Sequence, residues 1–189
     1  MDDRQKLMCD LKIHKGADEK ETMDLAAMID FLEGQADCFQ RSHQAGHFTG
    51  SALLLNHHGD KVLLNHHRSL DCWLQFGGHA DGDPNLFAVA WREVQEESGF
   101  SRIEQVITGI FDVDIHPIPH NEKRNKPAHL HYDVRYLFRL GTDDDMYKIS
   151  PESIDLRWCD YDEALALVGS GSVARMLKKW QQLNLAEHL

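Results

Sequence analysis

Long apolar runs are the first thing this sequence lacks. No stretch approaches the roughly 20 residues needed to cross a bilayer. The opening Met1-Asp2-Asp3-Arg4 also has no apolar core of the kind that marks a secretion signal. These absences predict a cytoplasmic protein with no membrane partner. Positive charge is scarce too: 20 Lys and Arg stand against 31 Asp and Glu, a formal net charge of −11. Proteins that grip a phosphate backbone usually carry a basic patch, so stable nucleic-acid binding is not expected. An acidic protein can still accept a small polyphosphate if metal ions bridge the two. Cysteine is sparse and scattered. Cys9, Cys38, Cys72 and Cys159 form no CxxC pair, which fits reduced thiols better than a disulfide framework or a zinc knuckle.

What is present is ordinary for a soluble globular protein, with 42% hydrophobic and 27% charged residues in 189. That length predicts one core. Residues 1 to about 17 show no clear period and are expected to be loosely held. From Asp18 to Arg41 the pattern turns helical, with Leu25, Met28, Ile29, Leu32 and Phe39 recurring along it. The expected organisation is a helical extension over residues 1–45 and a second region over 46–189 that ends in a helix. The extra helix is a packing element or a candidate homodimer surface.

Phe48 to His57 and Lys61 to His67 read as a hairpin turning at Gly59-Asp60. The pairs His57-His58 and His66-His67 invite a metal reading. Adjacent strand residues point to opposite faces, however, so surface histidines are the better reading. A short strand at Trp73–Phe76 and another from Gln105 to Ile115 follow the same logic. Residues 116–127 form a long polar loop in which Lys123, Arg124 and Lys126 either meet substrate phosphates or simply face water. From His129 to Leu140 apolar residues alternate with His129, His131, Asp133 and Arg135. That polar face lines a pocket if the sheet is covered on both sides, and meets water if it is not. A closing strand at Ile154–Cys159 and helices over Tyr161–Val168 and from Val173 onward complete the chain.

The most organised stretch is Gly77 to Phe100, which holds a glycine pair and then Arg92-Glu93-Val94-Gln95-Glu96-Glu97-Ser98-Gly99. If Pro84 to Ser98 is a helix, Glu93, Glu96 and Glu97 share one narrow arc. Asp83 is then its N-cap and Pro84 its first residue, with Gly99 as the stop. Like charges so close together repel unless a cation sits among them. A divalent ion with oxygen ligands is the natural partner.

This segment resembles the Nudix box, the signature of the Nudix hydrolase superfamily. Gly78, Arg92, Glu93, Val94, Glu96, Glu97, Gly99 and Phe100 match it. Pro84 stands where the pattern has its first glutamate, which in the family helps to hold the helix arginine; Asp81 or Asp83 is a candidate substitute. The resemblance implies an α/β fold, a Nudix-like α/β/α sandwich with a mixed sheet, covering about residues 48–168. It also implies metal-dependent hydrolysis of a diphosphate bond in a nucleoside-diphosphate-linked or related small substrate. Mg2+, or Mn2+, would be held by Glu93, Glu96, Glu97 and the carbonyl of Gly77. Arg92 would orient Glu93, which is a ligand or the base. His131, Asp133, Arg135, Lys123 and Arg124 are the candidate substrate contacts. Two alternatives stay open. One is an enzyme like the isopentenyl-diphosphate isomerases, which use a metal held by histidines and glutamates plus a cysteine acid–base; no cysteine here matches that motif. The other is a binding module that has lost turnover.

Overall fold

The computed structural model describes the backbone of residues 1–120, 127–143 and 146–187. Five helices and eight strands are described, an α/β fold whose strands belong to one sheet. The chain divides into two compact units, residues 1–51, 77–90 and 109–135 in the first and 52–76, 91–108 and 136–189 in the second. Strands β1 (Gly46–Leu55) and β7 (His129–Leu140) and helix α3 (Leu86–Ser98) run through both.

The first unit opens on a helix that the periodicity did not show, α1 (Asp3–Ile13). A capping box between Asp2 and Gln5 starts it, and only Leu7 and Leu11, one turn apart, are buried. Its amphipathic signal is too thin to read, yet the helix is firmly tied down. The Arg4 guanidinium donates to the carbonyls of Leu32, Gln35 (2.7 Å) and Ala36 (3.1 Å), which end the next helix. Those orphan carbonyls need donors, and Arg4 supplies them. The next helix, α2 (Glu19–Gly34), starts at Asp18, whose carboxylate accepts from Glu21 N. It stops short of the expected Arg41, so Phe39 packs from a loop.

Helix α2 docks on β6 (Asp112–Ile118). Glu21 accepts from Val113 N at 3.2 Å and Asp24 from Ile115 N at 2.9 Å, so helix carboxylates cap backbone donors along this strand. The other side of β6 pairs antiparallel with β7. Strand β4 (Phe76–His79) pairs with β1, where a Cβ on Gly77 would fall 2.3 Å from Ser51 Cβ. Only glycine permits that approach.

The start of α3 differs from the expectation. Asn85, not Asp83, is the cap: its side chain accepts from Ala88 N at 3.1 Å, while Asp83 accepts from Asn85 N at 2.9 Å. Pro84 therefore precedes the helix instead of beginning it. A Cβ on Gly50 would meet Leu86 O at 2.5 Å, so the first turn of α3 rests directly on β1.

In the second unit β2 (Val62–His67) pairs antiparallel with the end of β1, with β3 (Cys72–Leu74) and with β8 (Ser153–Cys159). The strand expected over 105–115 is two strands. Its first part is β5 (Ile103–Gln105), paired with the end of β7, and Gly109 at φ +88° separates it from β6. Helix α4 (Tyr161–Val168) has a capping box from Asp160 to Glu163, and Gly169 at φ +69° ends it. Helix α5 (Ser172–Glu187) buries Met176, Leu177 and Trp180, whose indole N–H donates to Gly59 O at 3.0 Å.

Candidate functional site

Register places the polar residues of the first unit. Opposite residues on paired strands share a face, as do residues two apart along one strand. Asp112 lies opposite Arg135, Asp114 opposite Asp133, and His116 opposite His131. One face of β6 and β7 is thus three polar rows. The same alternation on β1 gives His47, Thr49 and Ser51.

Two of those rows close into a buried ion-pair cage. Arg135 reaches Asp133 at 2.7 Å and both Asp112 and Asp114 at 3.2 Å. Thr49 and Ser51 each donate to Asp133 at 2.8 Å, and Lys20 of α2 donates to Asp114 at 2.9 Å. Burial alone would lower the Arg135 pKa, but the Asp133, Asp112 and Asp114 charges outweigh it and raise it. Burial alone would likewise raise Asp114. The His116 hydrogen bond at 2.9 Å, Arg135 and Lys20 instead hold its carboxyl well below the usual range. These two rows are therefore satisfied internally. Asp133 and Arg135, expected from sequence to meet substrate, hold this cage together.

The third row is imidazole. The rings of His47 and His131 lie 5.0 Å apart by centroid, His79 and His131 5.0 Å, and His47 and His79 5.1 Å. His129 and His116 flank His131 at 5.2 Å and 5.5 Å. One ring nitrogen from each of His47, His79 and His131 falls within 4.8 Å of the others. Burial pushes the His131 imidazole down to about 2, with repulsion from His79, His116, His47 and His129 adding to it. His131 was a candidate substrate contact from the sequence, whereas His47 and His79 were not singled out there. The period-2 run His47-Thr49-Ser51 was a usable signal for the first, and the position of His79 directly after the glycine pair for the second. His57 and His58 are exposed, as expected of surface residues, and His58 pairs with Asp143 at 3.1 Å, whereas His66 and His67 are half-buried, His66 pairing with Asp71 at 3.0 Å.

The second unit holds the acidic part of α3. Glu97 is buried at 6% exposure, Glu93 is half-buried and Glu96 is exposed. Arg92 lies 3.2 Å from Glu93 and 4.0 Å from Glu96. Burial raises the Glu93 pKa. Arg92 lowers it, and the neighbouring Glu96 and Glu152 raise it again. Of the residues considered as substitutes for the missing glutamate, Asp81 pairs with Arg41 at 2.6 Å, and Asp83 serves the turn before α3. After α3, Gly99 at φ +80° lets Lys148 N reach Ser98 O at 2.8 Å. Lys123 and Arg124 lie outside the described residues.

A capped helix bearing Arg92, Glu93, Glu96 and Glu97, entered through a glycine pair and left through Gly99, is the architecture that the sequence motif requires. The NUDIX domain model matches residues 47–180, and the chain belongs to that family. Among curated relatives it is 33% identical over 92 residues to the probable DHNTP pyrophosphohydrolase of Lactococcus lactis subsp. cremoris, covering 49% of this chain and 53% of that one. The chain thus spans about half the length of that relative. It is 25% identical over 108 residues to the asymmetrical bis(5'-nucleosyl)-tetraphosphatase of Caenorhabditis elegans, covering 57% of this chain and 72% of that protein. The crystal structure of a C. elegans Ap4A hydrolase binary complex superposes with a TM-score of 0.56. It shares 16% identity and covers 74% of this chain and 98% of its own, a likeness of fold.

Proposed function

We propose that this protein hydrolyses a diphosphate bond in a nucleoside-diphosphate-linked or related small molecule, using a divalent cation held by α3. The observation that carries the reading is the clustering of Glu93, Glu96 and Glu97 on one helix, with burial and like charge raising the Glu93 pKa. A cation relieves that repulsion, and three carboxylates are a hard-oxygen set suited to Mg2+ or Mn2+. Family membership supports the reaction class. So do the two curated relatives, whose names describe a pyrophosphohydrolase and a tetraphosphatase.

Glu97 and Glu96 are the proposed principal ligands, and a bound ion there would neutralise phosphate charge and acidify a coordinated water. Arg92 holds the Glu93 carboxylate through a charge-assisted contact and so fixes its orientation. A carboxylate with a raised pKa is also a stronger base, so Glu93 is the proposed acceptor of the proton that attacking water gives up. The catalytic region under this reading is residues 46–189, with the N-terminal extension bracing β6 through α2.

Glu97→Gln tests the proposal by keeping side-chain size while removing a ligand charge. Assayed with a panel of nucleoside diphosphate derivatives and Mg2+ or Mn2+, it should lose at least about 100-fold in kcat/KM, or about 2.7 kcal/mol of transition-state stabilisation. Circular dichroism should stay unchanged. Wild-type turnover in the variant would remove the model.

A further inference from the structure

We propose that His47, His79 and His131 form a second metal site, one that takes a single divalent transition-metal ion of the zinc class. Its donor chemistry separates it from the carboxylates of α3. Three imidazole nitrogens suit zinc, cobalt, nickel or copper, whereas magnesium demands oxygen ligands.

The geometry supplies the main argument. One nitrogen from each ring lies within 4.8 Å of the other two. Around a tetrahedral zinc with Zn–N near 2.0–2.1 Å, ligand nitrogens stand roughly 3.3 Å apart. The three residues come from β1, β4 and β7, so the donors sit on paired strands and not on mobile loops. The Gly77–Ser51 approach that brings β4 against β1 also fixes where His79 begins.

A second observation concerns His131 itself. Its Nε2 is buried and has no hydrogen-bond partner among the described residues. A buried polar nitrogen left in that condition costs free energy unless something else satisfies it. A metal ion does so without adding a proton among five neighbouring rings. Three protein ligands would leave a fourth position, the arrangement of catalytic zinc sites more than structural ones. The adjoining row is already rigid, because His116 is held by Asp114 and Asp114 by Arg135 and Lys20.

The chain, stripped with chelator and dialysed against Co2+ or Zn2+, should retain one equivalent of metal, and Co2+ should show the visible absorption of a tetrahedral nitrogen site. His79→Gln and His131→Ala should each weaken retention at least tenfold, while Glu97→Gln should retain Co2+ as the wild type does. X-ray absorption on the zinc-loaded wild type should count three imidazoles and needs no variant to fold. Absence of stoichiometric metal would overturn the site, as would an oxygen-only shell or equal retention in the histidine variants. Loss of Co2+ in Glu97→Gln alone would place the ion on α3 instead, and would leave the diphosphate-hydrolase reading standing.

Discussion

The cage around Arg135 and the acidic face of α3 are both crowded with carboxylates, and they resolve the crowding in opposite directions. In the cage, one guanidinium meets three aspartates and Lys20 adds a second cation, so Asp114 is held below its ordinary pKa. On α3, Arg92 lies 3.2 Å from Glu93, yet burial, Glu96 and Glu152 prevail and the Glu93 pKa rises. The cage has built its counter-charge into the fold. Under the proposed function, the helix keeps a negative site for an added cation to complete. Clustered acids alone do not mark a metal site; a network closed by its own guanidinium and ammonium differs from one whose arginine meets only part of the negative charge.

Breaking the cage gives the largest expected effect. Arg135→Met leaves three buried aspartates without their shared partner, and the loss of one member of a buried ion pair typically costs about 3–5 kcal/mol. Urea unfolding at neutral pH should register a loss of that size. A loss under about 1 kcal/mol would mean that the cage is an ordinary surface-strength network.

The comparison also predicts opposite pH signatures. A depressed carboxyl stabilises the fold above its unfolded pKa of about 3.9, and that contribution drains away as pH falls below it. Asp114→Asn should therefore flatten the acid arm of the stability curve. A raised carboxyl contributes stability below its unfolded pKa of about 4.3, which is lost as pH rises through its folded value. In metal-free buffer Glu93→Gln should consequently gain stability relative to the wild type between about pH 4 and 7. Thermal melts across pH 3–7 check both arms. Parallel curves for the two variants would erase the distinction drawn between cage and helix.

What sequence made legible follows from the same contrast. The carboxylates of α3 lie within five residues of one another, so helical spacing exposes them directly. β7 likewise announced its polar face through alternation. The cage and the imidazole row need registers between β1, β4, β6 and β7, plus α2 laid across β6. No local pattern encodes those pairings. Asp112, Asp114 and Lys20 looked unremarkable because each draws its role from a residue at least 21 positions away. Helix α1 was hidden for another reason: two buried leucines and a guanidinium tying down the end of α2 leave almost no period to read.

The smallest effect concerns where α3 begins, and it tests the local reading most directly. Asp83-Pro84 has the composition of a cap and first residue, whereas the structure gives the cap to Asn85. Asn85 carries the side-chain oxygen that meets Ala88 N, three residues on, which is the N-cap geometry; Pro84 only fixes the approach. Asn85→Ala should therefore cost about 1 kcal/mol in urea unfolding. Pro84→Ala should stay within about 0.5 kcal/mol of the wild type, chiefly through the unfolded chain. The reverse ranking would restore Pro84 to the first helical turn.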